Sequence, residues 1–155
     1  MNKFYKTVLL TGLFVGTTDI LSAFITVWAK TGKFFPLMFN YIAGGALGFK
    51  TAMDGGNAIA LLGLFFHYFI SCAFTLFFFL IFKRVRFLSF NKYLIGMLYA
   101  VFVNLVMEQG ILRLTSLPSK PFILANSFIS WVILGVVFGI PIAYNAYKFY
   151  DVKAQ

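Results

Sequence analysis

The stretch of this chain that decides its fold is NAIALLGLFFHYFISCAFTLFFFLIF, at residues 57–82. It contains no Lys, Arg, Asp or Glu. At about 1.5 Å of rise per residue, a helix of this length exceeds the roughly 30 Å hydrocarbon core of a bilayer. Similar apolar stretches occupy residues 7–29, 93–112 and 122–147. The pattern predicts an all-α integral membrane protein, folded as a four-helix bundle.

Composition supports one membrane domain and little else. The chain has 155 residues, of which 61% are hydrophobic and 11% are charged. Because the links between the apolar stretches are too short to hold a soluble domain, we expect a single transmembrane domain over residues 1–155. Lys3 and Lys6 precede the first stretch as in a secretory signal, but that stretch is long and contains Asp19, so we expect an uncleaved helix.

Positive charge is concentrated at the predicted helix ends. In a soluble protein the net charge of +9 would suggest binding to nucleic acid, but in a membrane protein it favours binding to anionic lipid headgroups. Lys83, Arg84 and Arg86 form the densest group of such contacts. We expect no nucleic-acid partner. Eight of the 13 Lys and Arg residues lie on the side that holds both termini and the link at 83–92. The bias predicts that this side is cytoplasmic.

The segment at 37–49 is apolar but too short for an ordinary span. It suits a helix that lies in the membrane interface or enters the membrane and returns. A five-span arrangement with the N-terminus outside gives the same charge count, so the sequence leaves both topologies open. Asp54 or Asn57, which follow this segment, are expected to cap the next helix.

Small and polar residues share one face of each predicted helix. Gly12 and Gly16 form a small-xxx-small pair of the kind that lets helices approach closely in lipid. The predicted packing positions are Gly12, Gly16, Gly63, Gly135 and Gly139. They favour contacts between helices over contacts with lipid.

Ionisable residues within the spans form the candidate polar site. By helical rise, Asp19 lies about 18 Å from the cytoplasmic end, and His67 and Glu108 lie about 22 Å from it. A charge at such depth costs roughly 2.5 to 3.5 kcal/mol, so pairing or neutralisation is expected. We predict that Asp19 and His67 are neighbours and that Asn104, one turn before Glu108, is its hydrogen-bond partner.

No sequence motif indicates a particular reaction. There is no Walker motif, GxGxxG or CxxCH, and one histidine makes a poor metal site, so we predict no catalytic residues, cofactor or metal. For His67 by itself the favoured role is a structural hydrogen bond between helices, and a proton-relay or ligand-binding role is the alternative. The favoured function is a non-enzymatic transport or permeability element, or an accessory subunit with a homo-oligomeric or membrane-protein partner. The alternative is a membrane-embedded enzyme that uses Asp19 and His67 with Ser22 as nucleophile.

Several motifs resemble a group of small uncharacterised bacterial inner-membrane proteins with four helices and no established activity. The resemblance is carried by GTTDI at 16–20, IAGGALG at 42–48, Gly55-Gly56, LGLFFHYF at 62–69 and FGIPIA at 138–143. It implies a location in a bacterial cytoplasmic (inner) membrane and polar positions at Asp19 and His67. It also implies Met-Asn where this chain has Met107-Glu108, and a histidine in the fourth helix, where this chain has none.

Overall fold

All regular secondary structure in the described part of the protein is helical. The structure, a computed structural model, describes residues 2–32, 37–111 and 124–151, and no strand occurs among them. The α-helices are α1 Lys3–Thr31, α2 Met38–Leu47, α3 Phe49–Asp54, α4 Gly56–Phe82, α5 Lys92–Leu105, α6 Leu124–Leu134 and α7 Ile140–Tyr150. A 3₁₀ turn covers Arg86–Ser89, and π-helical turns cover Val106–Ile111 after α5 and Gly135–Gly139 between α6 and α7.

Three of these helical segments are long and apolar enough to cross a membrane. They are Lys3–Thr31, Gly56–Phe82 and Ser127–Tyr150. The all-helical class is therefore confirmed, together with an apolarity compatible with a membrane protein. The stretch predicted at 93–112 corresponds to α5 and the following π turn and is not among the three, so the structure does not by itself establish a bundle of four spans.

Glycines set the closest approach of α1 to α4. A Cβ atom at Gly12 would lie 2.7 Å from the Cys72 sulfur, and one at Gly16 would lie 3.0 Å from the Tyr68 ring. Because positions that rise along α1 meet positions that fall along α4, the two helices are antiparallel. The sulfur of Cys72 lies at this contact.

The last helix approaches α5 in the same way. A Cβ at Gly139 would collide with the carbonyl oxygen of Gly96, and one at Gly135 would collide with the side chain of Met97. The order of these contacts makes α5 antiparallel to the segment that runs from α6 through the π turn into α7. At Gly96 and Gly139 the backbones of the two helices touch with no side chain between them.

The apolar core lies at the end of the molecule that holds the N-terminus and the link at 83–92. Tyr99 joins α5 to α4 through a hydrogen bond from its hydroxyl to the Phe74 carbonyl at 2.6 Å. The Tyr150 hydroxyl donates to the Phe79 carbonyl at 2.8 Å and so joins α7 to α4. The fully buried members of this core include Val15, Phe78, Phe79, Ile95, Ile142, Ala143 and Ala146.

The short segment between α1 and α4 folds into two helices. Gly48, at a φ of 85°, separates α2 from α3 in a conformation that residues with a Cβ rarely adopt. Asn40 is 2% exposed, and its amide donates to the carbonyls of Ala52 at 2.9 Å and Gly56 at 3.0 Å. The first turn of α2 is therefore fixed beside the start of α4.

The expected side-chain cap on α4 is wrong. This helix begins at Gly56, and its N-cap residue, Gly55, forms no side-chain cap hydrogen bond. Gly56 has a φ of 63°, which glycine adopts without strain, so the chain makes the turn into α4 through backbone conformation. Asp54 instead ends α3, and Asn57 lies one residue inside α4.

Candidate functional site

His67 is held against the backbone of α1. Its Nε2 atom lies 2.7 Å from the carbonyl oxygen of Gly16. A carbonyl can only accept, so Nε2 carries the proton and donates it. Gly16 has no side chain, which leaves this part of the α1 backbone open to the ring. The arrangement leaves Nδ1 as the remaining polar atom of the imidazole.

Asp19 lies three residues beyond Gly16, on the same side of α1. Its side chain is half-buried, and its carboxyl group is within electrostatic range of His67. The two side chains form neither a hydrogen bond nor an ion pair within 4.0 Å. Asp19 and His67 are therefore neighbours without direct contact, and a proton passing between them needs a side-chain rotation or a bridging water.

Tyr68, which follows His67 in α4, is hydrogen-bonded to Thr17 of α1. The Thr17 hydroxyl lies 2.9 Å from the Tyr68 hydroxyl and also donates to the Leu13 carbonyl at 2.9 Å. Since a hydroxyl has one proton, Tyr68 is the donor to Thr17. The rings of His67 and Tyr68 meet edge to face, with centroids 5.6 Å apart. The ring of Tyr68 therefore lies beside the imidazole, while its hydroxyl bonds to Thr17 and not to His67.

The hydroxyl of Ser22 bonds within its own helix and not to the imidazole. Its hydroxyl donates to the backbone carbonyl of Asp19 at 2.8 Å, within its own helix. No hydrogen bond joins Ser22 to His67, although both residues are described. The geometry expected of a nucleophile activated by histidine is therefore not formed.

Thr18 connects α1 to the π turn of the last helix. Its hydroxyl lies 2.7 Å from the carbonyl oxygen of Val137. In an α-helix that carbonyl would accept from the N–H of residue 141, which is Pro141 and has none. Thr18 supplies a donor from the neighbouring helix, a known way to accommodate proline in membrane helices.

The other predicted polar residues form a separate group between α5 and α6. The Asn104 amide lies 3.4 Å from Glu108 Oε1, and the Trp131 indole N–H donates to Asn104 Oδ1 at 2.7 Å. Trp131 lies six residues before Val137, the residue that accepts from Thr18, so the two contacts are about 9 Å apart along the last helix. Within the described residues no hydrogen bond joins this group to Asp19 or His67.

The structure adds residues that the sequence did not single out. Thr18, Tyr68, Trp131 and Asn40 each form a hydrogen bond between different helical elements. Of these, Thr18 had a signal in the sequence, because Pro141 removes a backbone donor and a Ser or Thr on a neighbouring helix is a common replacement. Among the described residues no three His, Cys, Asp or Glu side chains are grouped so as to hold a metal ion.

Comparison with known proteins finds no match. No protein-family model, no curated protein and no solved structure matches this chain. The resemblance drawn from the sequence motifs therefore stays a hypothesis. The function has to be inferred from the geometry of Asp19, His67 and their neighbours.

Proposed function

We propose that this protein is a small transport or permeability element of a bacterial cytoplasmic membrane, in which Asp19 and His67 form a proton-binding pair. The observation that carries the proposal is the bond from His67 Nε2 to the Gly16 carbonyl. It fixes one nitrogen as a permanent donor and leaves the other to exchange a proton near the Asp19 carboxyl group.

The topology proposed with this function has four spans and both termini in the cytoplasm. The hydrogen bonds from Asn40 to Ala52 and Gly56 support it, because they hold the beginning of α2 beside the beginning of α4. A chain that starts and ends at the same place has not crossed the bilayer. Residues 38–55 then form a re-entrant or interfacial hairpin, and α2, at about 15 Å from its ten residues, is too short to span.

The fourth span in this proposal is α5 with its π turn. Residues 92–111 together approach the length that a bilayer needs, since about 20 residues are required. Backbone contact between Gly96 and Gly139 supports the assignment, because it sets α5 antiparallel to the last helix, which is itself long enough to cross. The order of helices is then up, down, up, down.

The chemistry proposed for Asp19 and His67 rests on charge compensation. An isolated charge in the middle of the bilayer is costly, whereas an imidazolium beside a carboxylate carries no net charge. The pair can therefore hold one proton on either side chain without exposing an uncompensated charge to lipid.

The test is a proton flux measurement in reconstituted vesicles. The protein is incorporated into liposomes that contain a pH-sensitive dye, a pH step is applied, and the rate of internal pH change is compared with that of empty vesicles. We expect Asp19→Asn and His67→Gln each to reduce the protein-dependent rate at least tenfold, since each removes one proton-exchanging group. Melting temperatures in detergent check that both variants fold.

The matched control is Asp54→Asn. It removes one carboxylate from the exposed end of α3 and should leave the flux unchanged. A wild-type rate equal to that of empty vesicles contradicts the proposed function. So does an unchanged rate in both site variants, while a fall in stability without a change in flux would assign Asp19 and His67 a structural role.

A further inference from the structure

An apolar groove lies at the end of the molecule that holds the basic link. Its volume is about 270 Å³, and it is bounded by the second half of α4, the 3₁₀ turn and α5. Its walls include Ile81, Phe87, Leu88, Leu98 and Phe102. Tyr99 contributes only its ring, because its hydroxyl is bonded to the Phe74 carbonyl at 2.6 Å. The groove therefore offers apolar contacts alone.

The basic link beside this groove contains two arginines that have no acidic partner among the described residues. Arg84 and Arg86 are exposed, and Arg86 directly precedes Phe87 in the 3₁₀ turn. Lys83 and Lys92, the other cations of the link, lie over the rings of Tyr150 at 4.9 Å and Tyr144 at 5.1 Å, both in α7. Neither arginine forms an ion pair with a carboxylate of the described residues.

The charge balance at this end leaves the two arginines for an outside partner. The chain has four acidic residues, of which Asp19, Asp54 and Glu108 lie in α1, in α3 and in the π turn after α5. Asp151, just after α7, is the remaining one. A second copy of this chain docked here would bring the same cations against each other. The complementary partner is an anion with an apolar part.

We propose that the groove binds an acyl chain of an anionic phospholipid whose phosphate is held by Arg84 and Arg86. The planar guanidinium group presents paired N–H donors that match phosphate oxygens, and the apolar walls match hydrocarbon. The site goes beyond general attraction of cations to a negative leaflet, because it couples two particular arginines to one groove. It rests on the proposed membrane placement but is independent of Asp19 and His67.

The experiment measures lipid-dependent stabilisation in detergent. The melting temperature of the purified protein is followed while short-chain phosphatidylglycerol is added, with phosphatidylcholine of the same chains and free glycerol phosphate as comparators. We expect phosphatidylglycerol alone to raise the melting temperature. The double variant R84Q/R86Q should weaken the apparent affinity about 30-fold, since each cation near an anionic surface contributes about 1 kcal/mol.

Matched variants distinguish binding in the groove from diffuse electrostatic attraction to the positive end of the protein. K3Q/K6Q removes two charges from the same end but not from the groove, and it should retain the wild-type affinity. Leu98→Trp should fill the groove and weaken binding while both arginines remain. Phe87→Ala removes one exposed wall and tests the same point if Leu98→Trp does not fold.

Three results would overturn the lipid site. They are equal stabilisation by phosphatidylcholine, equal stabilisation by glycerol phosphate, and an equal loss of affinity in K3Q/K6Q and R84Q/R86Q. Asp19→Asn should respond to phosphatidylglycerol like the wild type. A failed proton-binding proposal and a failed lipid site are therefore distinguishable.

Discussion

Thr18 shows how one residue compensates for another on a distant part of the chain. Pro141 has no backbone N–H, so the Val137 carbonyl lacks its ordinary helical donor. Thr18, in α1, donates to that carbonyl oxygen over 2.7 Å. The same hydroxyl also lies 3.2 Å from the Phe14 carbonyl and 3.1 Å from the Val15 carbonyl. The bond between helices therefore competes with bonds inside α1, which limits its net contribution.

We expect Thr18→Val to lower the free energy of unfolding by about 0.6 kcal/mol and by no more than about 1.7 kcal/mol, the range found for hydrogen bonds between membrane helices. The control is Thr26→Val, because Thr26 donates only to the Ser22 carbonyl of its own helix. Unfolding in mixed micelles with increasing denaturing detergent measures both. Thr26→Val should stay within about 0.5 kcal/mol of the wild type.

The link to proline can be tested in the same assay. Pro141→Ala restores the backbone N–H at residue 141, so the Val137 carbonyl regains a donor in its own helix. Thr18→Val should then cost less in the Pro141→Ala background than in the wild type. An equal cost in both backgrounds would show that the Thr18 bond has no connection with the missing donor.

At the scale of helical elements, glycines decide which helices touch. Gly135 and Gly139 lie four residues apart in the same π turn, but their neighbours in α5 differ. A Cβ at Gly135 meets the end of the flexible Met97 side chain, whereas a Cβ at Gly139 meets the backbone carbonyl of Gly96. A methionine side chain can rotate away, and a helix backbone cannot.

Gly139→Ala should therefore destabilise the protein by about 1 to 3 kcal/mol, the usual cost of overpacking. Gly135→Ala should be nearly neutral, because rearrangement of Met97 is offset by the higher helix propensity of alanine. Denaturing-detergent titrations of the two variants compare them directly. Equal effects would mean that the α5 backbone is not in contact with the last helix.

The sequence predicted the helical stretches because they depend on apolar length alone. Residues 57–82 were predicted and Gly56–Phe82 is observed, and the first and last stretches likewise correspond to α1 and to α6 through α7. The π turns were missed, since a shift of the hydrogen-bond ladder leaves average hydropathy unchanged. The division of 37–49 at Gly48 was missed because it depends on one backbone angle of 85°.

The candidate site could be predicted only in part. Depth along the helices suggested that Asp19 and His67 are close, because helical rise is regular. Rise gives no information about rotation or crossing angle, so the bond from His67 to Gly16 and the separate group of Asn104, Glu108 and Trp131 could not be derived. A partner that is a backbone carbonyl leaves no sign in residue identity.

At the scale of the whole molecule, the side of the membrane occupied by the N-terminus distinguishes four spans from five. We expect a cysteine at Asn2, in a Cys72→Ser background, to resist a membrane-impermeant thiol reagent added to intact cells. Two positions serve as controls. A cysteine at Asp54 should be labelled, because both topologies place it outside, and a cysteine at Ser89 should not, because both place it inside. Labelling at Asn2 together with Asp54 would require the five-span arrangement.

The contact between Thr18 and Val137 has a consequence for the order of assembly during synthesis. α1 and α4 can pair as soon as both are in the membrane, because both precede the last helix in the chain and they meet through Gly12 and Gly16. The last helix emerges later, at a synthesis rate of about 5 to 20 residues per second. Until then the Thr18 hydroxyl can bond within α1, and it transfers to Val137 only when the C-terminal helix arrives. The ring contact between Phe4 and Phe149 closes at the same late stage, so the beginning of the chain is fixed in place by its end.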